Sequence, residues 1–262
     1  MKRTLIDRIP YSLPDEIVRL TEGVSVWDSS CSPEASVYFI DRDGGYYLKL
    51  AEQEELRRES ELTKYFHSLN LGAELLSYGA KDGRDYMLTA RVPGEDCIAP
   101  EYLSDPKRLC DTVAAELRAL HEYDFSACPA KNKIKEYLST AWRNYETDNY
   151  DKSHFPDNFG YRSAEEAARA LREGSQLLCS DTLVHGDYCL PNIMLDSWRP
   201  SGFIDVGAAG IGDRHIDLFW GAWSLGFNLG TDEYRERFFD VYGRDLINPD
   251  VLLVVAAAEV FR

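Results

Sequence analysis

The sequence has no long apolar run. Its longest, residues 251–258, falls far short of the roughly 20 residues that cross a bilayer, so no membrane span is expected. The first residues are basic, but Asp7 and Arg8 interrupt any apolar segment, which argues against a signal peptide. Basic residues are in deficit, with 29 Lys and Arg against 45 Asp and Glu and a net charge of −16. So acidic a chain is a poor partner for nucleic acid or an anionic membrane, because phosphate contacts need Lys and Arg. The charge serves solubility or suits a polycationic substrate. No C-x-x-C pair and no His at zinc-finger spacing accompanies Cys31, Cys97, Cys110, Cys128, Cys179 and Cys189, so reduced thiols in a cytoplasmic protein are expected. The G-x-x-x-x-G-K-[ST], G-x-S-x-G and H-E-x-x-H signatures are also missing, which removes P-loop, nucleophile-elbow and zinc-protease readings. Gly207, Gly210 and Gly212 stand in the order G-x-x-G-x-G without a following βαβ pattern, so they do not mark a dinucleotide site.

With 262 residues and 44% hydrophobic content, the chain is one large domain or two lobes. Strands are expected at 35–41 and 46–50 around the turn at 42–45, and at 74–78 and 86–89 around the turn at 81–84. Residues 51–69 read as a helix, with Leu56, Leu62, Phe66 and Leu69 along one face. The run from Arg91 through Val92, Pro93 and Gly94 to Asp96 breaks the pattern and reads as a hinge. Beyond it, helices are expected at 106–122, 131–147, 163–178, 213–228, 232–242 and 249–261. The class is therefore α+β: a small β-rich N-terminal lobe, 1–91, and a larger, mainly helical C-terminal lobe, 92–262, with a nucleotide-sized cleft expected between them.

The most informative segment runs from His185-Gly186-Asp187 to Asn192 and on to Asp205, at spacings D-x4-N and N-x12-D. Residues 193–195 and 203–204 read as short strands around the turn at 196–201, a hairpin that brings Asn192 and Asp205 to one end. Asp187 lies in the loop before it. Two hard oxygen ligands beside an unliganded carboxylate suit Mg2+-dependent phosphoryl transfer, the metal neutralising phosphates while the free carboxylate orients a hydroxyl. In the N-terminal lobe Lys49 alternates with Leu48 and Leu50 and so points away from their face. Glu59 falls inside the apolar arc of Leu56, Leu62 and Phe66, where a charge is costly unless paired. Either the two pair, holding the ammonium toward phosphates, or Lys49 snorkels and Glu59 sits at the edge of the face. Phe219, Trp220, Trp223 and Phe227 have helical spacing and read as core, and Cys189 reads as packing.

These residues resemble the aminoglycoside phosphotransferases of the 3'-type. The likeness rests on His185 to Met194, Gly202-Phe203-Ile204-Asp205-Val206-Gly207, Asp213-Arg214-His215-Ile216-Asp217 and Val92-Pro93-Gly94. It implies a protein-kinase-like fold and phosphorylation of an antibiotic hydroxyl with ATP (or GTP) and Mg2+. Asp187 would be the catalytic carboxylate, Asn192 and Asp205 the Mg2+ ligands, and His185 and Asp217 supports of the catalytic loop. Lys49, fixed by Glu59, would hold the α- and β-phosphates, Ser32 would contact phosphate, and the backbone from Thr89 to Arg91 would meet adenine. Glu259, Asp157 and Asn158 would face the substrate. The chain departs from the family's pattern on the substrate side. Ala208 stands where an Arg is usual, Trp223-Ser224 where an Arg-Asp pair is usual, and the C-terminus ends Glu259-Val260-Phe261-Arg262. The expected partner is thus a cationic small molecule bearing a hydroxyl, kanamycin-type, with a macrolide, choline, an amino alcohol or a sugar as alternatives. A non-catalytic nucleotide-binding module and a metal-dependent hydrolase fit less well. Nothing distinguishes monomer from homodimer.

Overall fold

The computed structural model describes residues 3–155 and 159–262. In chain order the first elements are β1 (Thr4–Ile6), α1 (Asp15–Thr21), β2 (Val26–Asp28), β3 (Ser36–Ile40), β4 (Tyr46–Glu52), α2 (Arg57–Ser68), β5 (Leu75–Lys81), β6 (Arg84–Ala90) and β7 (Glu95–Asp96). Then come α3 (Pro100–Leu103), α4 (Pro106–Leu120), α5 (Lys133–Glu146), α6 (Ala164–Gly174), β8 (Thr182–Val184), β9 (Ile193–Asp196) and β10 (Arg199–Phe203). The last are β11 (Gly210–Gly212), α7 (Arg214–Leu229), α8 (Arg235–Tyr242) and α9 (Pro249–Glu259). The class is α+β. The chain forms two compact units, Met1–Ala99 with Pro191–Gly207, and Pro100–Leu190 with Ala208–Arg262. The β9–β10 hairpin thus belongs to the first unit, although the sequence reading counted it with 92–262.

The first unit is built on an antiparallel six-stranded sheet in the order β1-β2-β3-β4-β6-β5. Leu48, Leu50 and Leu88 turn one face into a core with Ile17 of α1, Tyr38 and Ile40. Alternation sends Tyr47 and Lys49 to the opposite face, where Lys49 stands across from Met87 and Tyr47 across from Thr89. The helix expected from residue 51 starts later. β4 runs on through Glu52 opposite Arg84, Glu54 takes a φ of +75°, and the Leu56 amide donates to the Asp85 carboxylate at 3.1 Å, so α2 begins at Arg57. Short strands β1 and β2, with α1, precede the first strand expected from periodicity; their three-residue strands are too brief to show an alternation. The expected hinge contains β7, which pairs with β9 to make the sheet β10-β9-β7. Gly94 has a φ of +88°, and a Cβ there would lie 2.0 Å from the Leu195 carbonyl oxygen, which fixes the residue as glycine.

The second unit is helical around a two-stranded ladder, β11-β8. Gly210 and Gly212, rejected as a nucleotide loop, are β11 residues paired with Val184 and Thr182. The apolar run at 251–258 lies in α9, which sits in a core with Tyr137, Ala141, Leu171, Ile216 and Phe261. The expected helix at 163–178 stops as α6 at Gly174 and tightens into a 3-10 turn at Ser175–Leu177. Of the four aromatics expected in the core, Phe219 is buried and Trp220 packs against that core. Trp223 and Phe227 instead lie at the surface, stacked with ring centroids 5.0 Å apart. A helix as long as α7 presents an outer stripe as well as an inner one, and 223 and 227 follow that outer stripe. Among the described residues no helix is long and apolar enough to cross a membrane, and all the cysteines are free thiols.

Candidate active site

Lys49 sits at the centre of a charge cluster in the first unit. Its ammonium donates to both Glu59 carboxylate oxygens, at 2.9 and 2.8 Å, and to Asp205 Oδ1 at 2.8 Å. The Lys49 and Glu59 side chains are only 19% and 11% exposed, while Asp205 is 51% exposed. Of the two alternatives open for Lys49 and Glu59, the structure has the ion pair. Burial alone would push the Lys49 ammonium down, but the carboxylates of Asp205 and Glu59 outweigh it and hold Lys49 above the usual lysine value. The same burial raises the Glu59 carboxyl, opposed by Lys49.

Asn192 and Asp205 flank the base of the β9–β10 hairpin. Phe203 pairs with Ile193, and one step further the Ile204 amide donates to the Asn192 carbonyl at 3.0 Å. Asp205 then turns out of the strand with a φ of +54°, which swings its carboxylate toward Lys49. One carboxylate and one carboxamide at the same hairpin end are hard oxygen donors of the type that Mg2+ takes alongside waters and phosphates.

Lys49, Glu59, Asn192 and Asp205 line a cavity of about 590 Å³ within the first unit, together with Ser32, Thr89 and Arg91. Its walls also include Tyr47, Met87, Met194 and Ile204, an apolar surface suited to a flat ring. Ser32 is exposed on the loop between β2 and β3, its hydroxyl bonded to the Glu34 carboxylate, which it holds below the usual value. At 89–91 two backbone amides are already engaged. The Ala90 amide donates to the Glu74 carbonyl and the Arg91 amide to the Gly45 carbonyl, both at 3.0 Å, because strand pairing continues to the end of β6. Arg91 turns its guanidinium to the Gly94 carbonyl and to Glu95, at 2.8 and 2.9 Å. Tyr47 was missed by the sequence reading. Its signal was its place two residues before Lys49, on the same face of one strand.

In the second unit, the His185-Gly186-Asp187 turn follows β8 and hangs on Asp217 of α7. Asp217 accepts the His185 amide on Oδ2 and the Gly186 amide on Oδ1, each at 2.7 Å, and is fully buried. Gly186 has a φ of +81°, and a Cβ there would lie 2.1 Å from the Ala208 carbonyl oxygen and 2.9 Å from the Lys133 ammonium. The Asp187 amide donates back to His185 Nδ1 at 3.3 Å, while its carboxylate stays partly exposed and bonds the Cys189 thiol. Burial, with Asp187 beside it, pushes that thiol up and leaves it a poor nucleophile. The turn is closed by Leu190, whose amide donates to Ser224 Oγ at 2.9 Å. Asp217 Oδ2 also lies 3.1 Å from His121 Nε2, and His121 Nδ1 lies 2.8 Å from the Tyr242 hydroxyl; Ser224, His121 and Tyr242 went unnoticed in the sequence, where single polar residues on apolar helix faces carry no spacing signal.

The residues expected to face the substrate are placed less simply. Glu259 is buried in the second unit's core, where it accepts from the Tyr137 hydroxyl at 2.8 Å and lies 3.9 Å from Arg262. Burial pushes its carboxyl up, with Arg262 opposing. Tyr137 and Arg262 thus engage this carboxylate within the core. Asp157 and Asn158 lie outside the described residues.

The model of the phosphotransferase enzyme family matches residues 33–252. The "probable aminoglycoside 3'-phosphotransferase" of Lactococcus lactis subsp. lactis (strain IL1403) is 48% identical over 259 residues, 99% of this chain and 97% of its own length. Among solved structures, aminoglycoside-3'-phosphotransferase of type VIII superposes with a TM-score of 0.75 at 22% identity, covering 95% of this chain and 98% of that one. Aminoglycoside phosphotransferase APH(3'')-Id from Streptomyces rimosus, in complex with ADP and streptomycin, does so with a TM-score of 0.69 at 22% identity, over 87% and 91% of the two chains.

Proposed function

The chain belongs to the phosphotransferase enzyme family, and from that premise we propose that it moves the γ-phosphoryl group of ATP to a hydroxyl of an aminoglycoside of the kanamycin type. The observation that carries the reading is Lys49, an ammonium held between Glu59 and Asp205 in the wall of a cavity of about 590 Å³. A fixed cation beside hard oxygen donors, over apolar walls, fits a nucleotide better than it fits a neutral ligand. The ADP and streptomycin bound to the Streptomyces rimosus protein support the same class of nucleotide and acceptor.

In this reading residues 1–91 bind nucleotide and 92–262 carry catalysis and the acceptor. Tyr47 and Thr89 lie against the base, Ser32 and Lys49 hold phosphate oxygens, and Glu59 fixes Lys49. Asn192 and Asp205 would hold Mg2+, which when bound supplies charge neutralisation at the phosphates. Asp187 takes the proton of the acceptor hydroxyl or orients it, with His185 and Asp217 shaping its turn. Phosphoryl transfer through a loose transition state asks mainly for position and charge, which these side chains provide. The negative net charge of −16 favours a polycationic acceptor, and the protein works in the cytoplasm, where ATP and Mg2+ are at hand.

The test is ADP release at fixed Mg-ATP with and without kanamycin. Turnover that rises with kanamycin supports the reading. Equal rates in both, or a rise with a macrolide or choline but not kanamycin, would reject the aminoglycoside.

A further inference from the structure

The segment before β1 supplies a wall of the first unit's cavity, where Arg3 stands beside Tyr47 and Lys49. Strand register explains how a residue so distant in sequence arrives there. Leu5 of β1 pairs with Trp27 of β2, Trp27 with Phe39 of β3, and Phe39 with Tyr47 of β4. Residues paired in this way share one face of the sheet. Arg3 lies two residues before Leu5, so the alternation of β1 sends its side chain to that same face. Its guanidinium carbon lies 4.1 Å from the centre of the Phe39 ring and 5.6 Å from that of Tyr47. The same guanidinium donates to the Tyr47 hydroxyl. Phe39 is seated in turn against Gly45, where a Cβ would come within 2.6 Å of its ring. A planar cation laid on a packed aromatic face gains both cation–π attraction and stacking.

We propose that Arg3 is a positioning residue of the nucleotide site: it pins the Tyr47 ring as the flat wall against which the purine base stacks. This rests on the reading of the cavity as the site of ATP. Tyr47 is partly exposed, and Phe39 supports it only through a tilted contact, the rings at 53° with centroids 5.2 Å apart. The bond from Arg3 holds the far end of the same ring, at its hydroxyl. A ring fixed in place before the base arrives loses less freedom on binding, and that gain appears as affinity. Stacking on the base does not reach the transferring phosphoryl group, so the gain is the same before and during reaction. Removing Arg3 should therefore raise the KM for Mg-ATP and leave kcat in place.

The experiment is a double-mutant cycle on Arg3→Met, which keeps the stem without the guanidinium, and Tyr47→Phe, which keeps the ring without the hydroxyl. Calorimetry gives the Kd for Mg-ADP, and steady-state rates with Mg-ATP and kanamycin give KM and kcat. Tyr47→Ala, which removes the ring, runs in parallel. The expected result is a Kd for Mg-ADP raised about threefold or more in each single variant, with kcat within about twofold of wild type. The double variant should lose no more than about the larger of the two single losses, because both substitutions break the same bond. Tyr47→Phe keeps the test intact if Arg3→Met does not fold. Wild-type affinity in Tyr47→Phe, single losses that multiply in the double variant, or a fall in kcat at unchanged KM would overturn the proposal. Weakened binding in Tyr47→Ala beside wild-type affinity in Arg3→Met overturns it alone. Wild-type affinity in Tyr47→Ala overturns the placing of the base on Tyr47 and this proposal with it.

Discussion

Replacing Glu59 by Gln removes one of the two carboxylates that hold Lys49 while keeping shape and one acceptor. Opposite charges 2.8 Å apart attract by about 6 kcal/mol at an effective dielectric near 20, an upper figure. The net is much smaller, because the two side chains keep 19% and 11% exposure, desolvation opposes the pair and Asp205 remains bound to Lys49. Fully buried pairs lose about 3–5 kcal/mol when one partner goes and exposed pairs about 0–1, so this one should lose about 1–2 kcal/mol. In the variant the ammonium swings to the half-exposed Asp205 and away from phosphate. At about 1.4 kcal/mol per tenfold, kcat/KM for Mg-ATP should fall about tenfold or somewhat more. Urea unfolding gives the stability and Mg-ATP titration at saturating kanamycin gives the kinetics. An unfolding free energy and a kcat/KM both equal to wild type would refute the argument that Glu59 fixes Lys49.

Asp205→Ala should weaken Mg-nucleotide binding about tenfold or more, measured by calorimetry; unchanged affinity would remove Asp205 as a ligand. Gly186→Ala forces a φ of +81° on alanine and drives its Cβ to within 2.1 Å of the Ala208 carbonyl oxygen, so it should cost about 2 kcal/mol or more in urea unfolding. A wild-type midpoint would show that the turn can reshape freely. For pH, burial lowers His121 from its usual 6.5, so the unfolded chain takes up a proton first. The stability that His121 contributes is therefore complete above about 6.5 and is lost as pH falls toward its depressed folded value, at up to about 1.4 kcal/mol per pH unit. His121→Gln should flatten the acid limb of unfolding free energy against pH by that slope. An unaltered limb would mean that the imidazole is not kept neutral.

The parts of this site legible from sequence are those with a period or a fixed offset. Lys49 and Glu59 declared themselves because one is the polar member of a strand's alternation and the other interrupts an apolar helix face, and the two side chains do meet at 2.8 Å. Asn192 and Asp205 were placed at one hairpin end by counting residues between two short strands, and the backbone bond from Ile204 to Asn192 is there. Residues whose place depends on partners far along the chain were not legible. His121 reaches Asp217 across 96 positions and Tyr242 across 121, and no local pattern encodes either meeting. Strand pairing likewise overrode local signal, carrying β4 past the expected helix start. Trp223 and Phe227 misled because helical spacing marks a stripe without saying which way it faces.

The most direct test is the mass spectrum of kanamycin after incubation with the protein and Mg-ATP, run beside Asp187→Asn. The account predicts one added phosphoryl group on the antibiotic, formed about a hundredfold or more slower by the variant, with nucleotide affinity kept. Kanamycin recovered unchanged while ATP is hydrolysed, or modified equally fast by the variant, would contradict it.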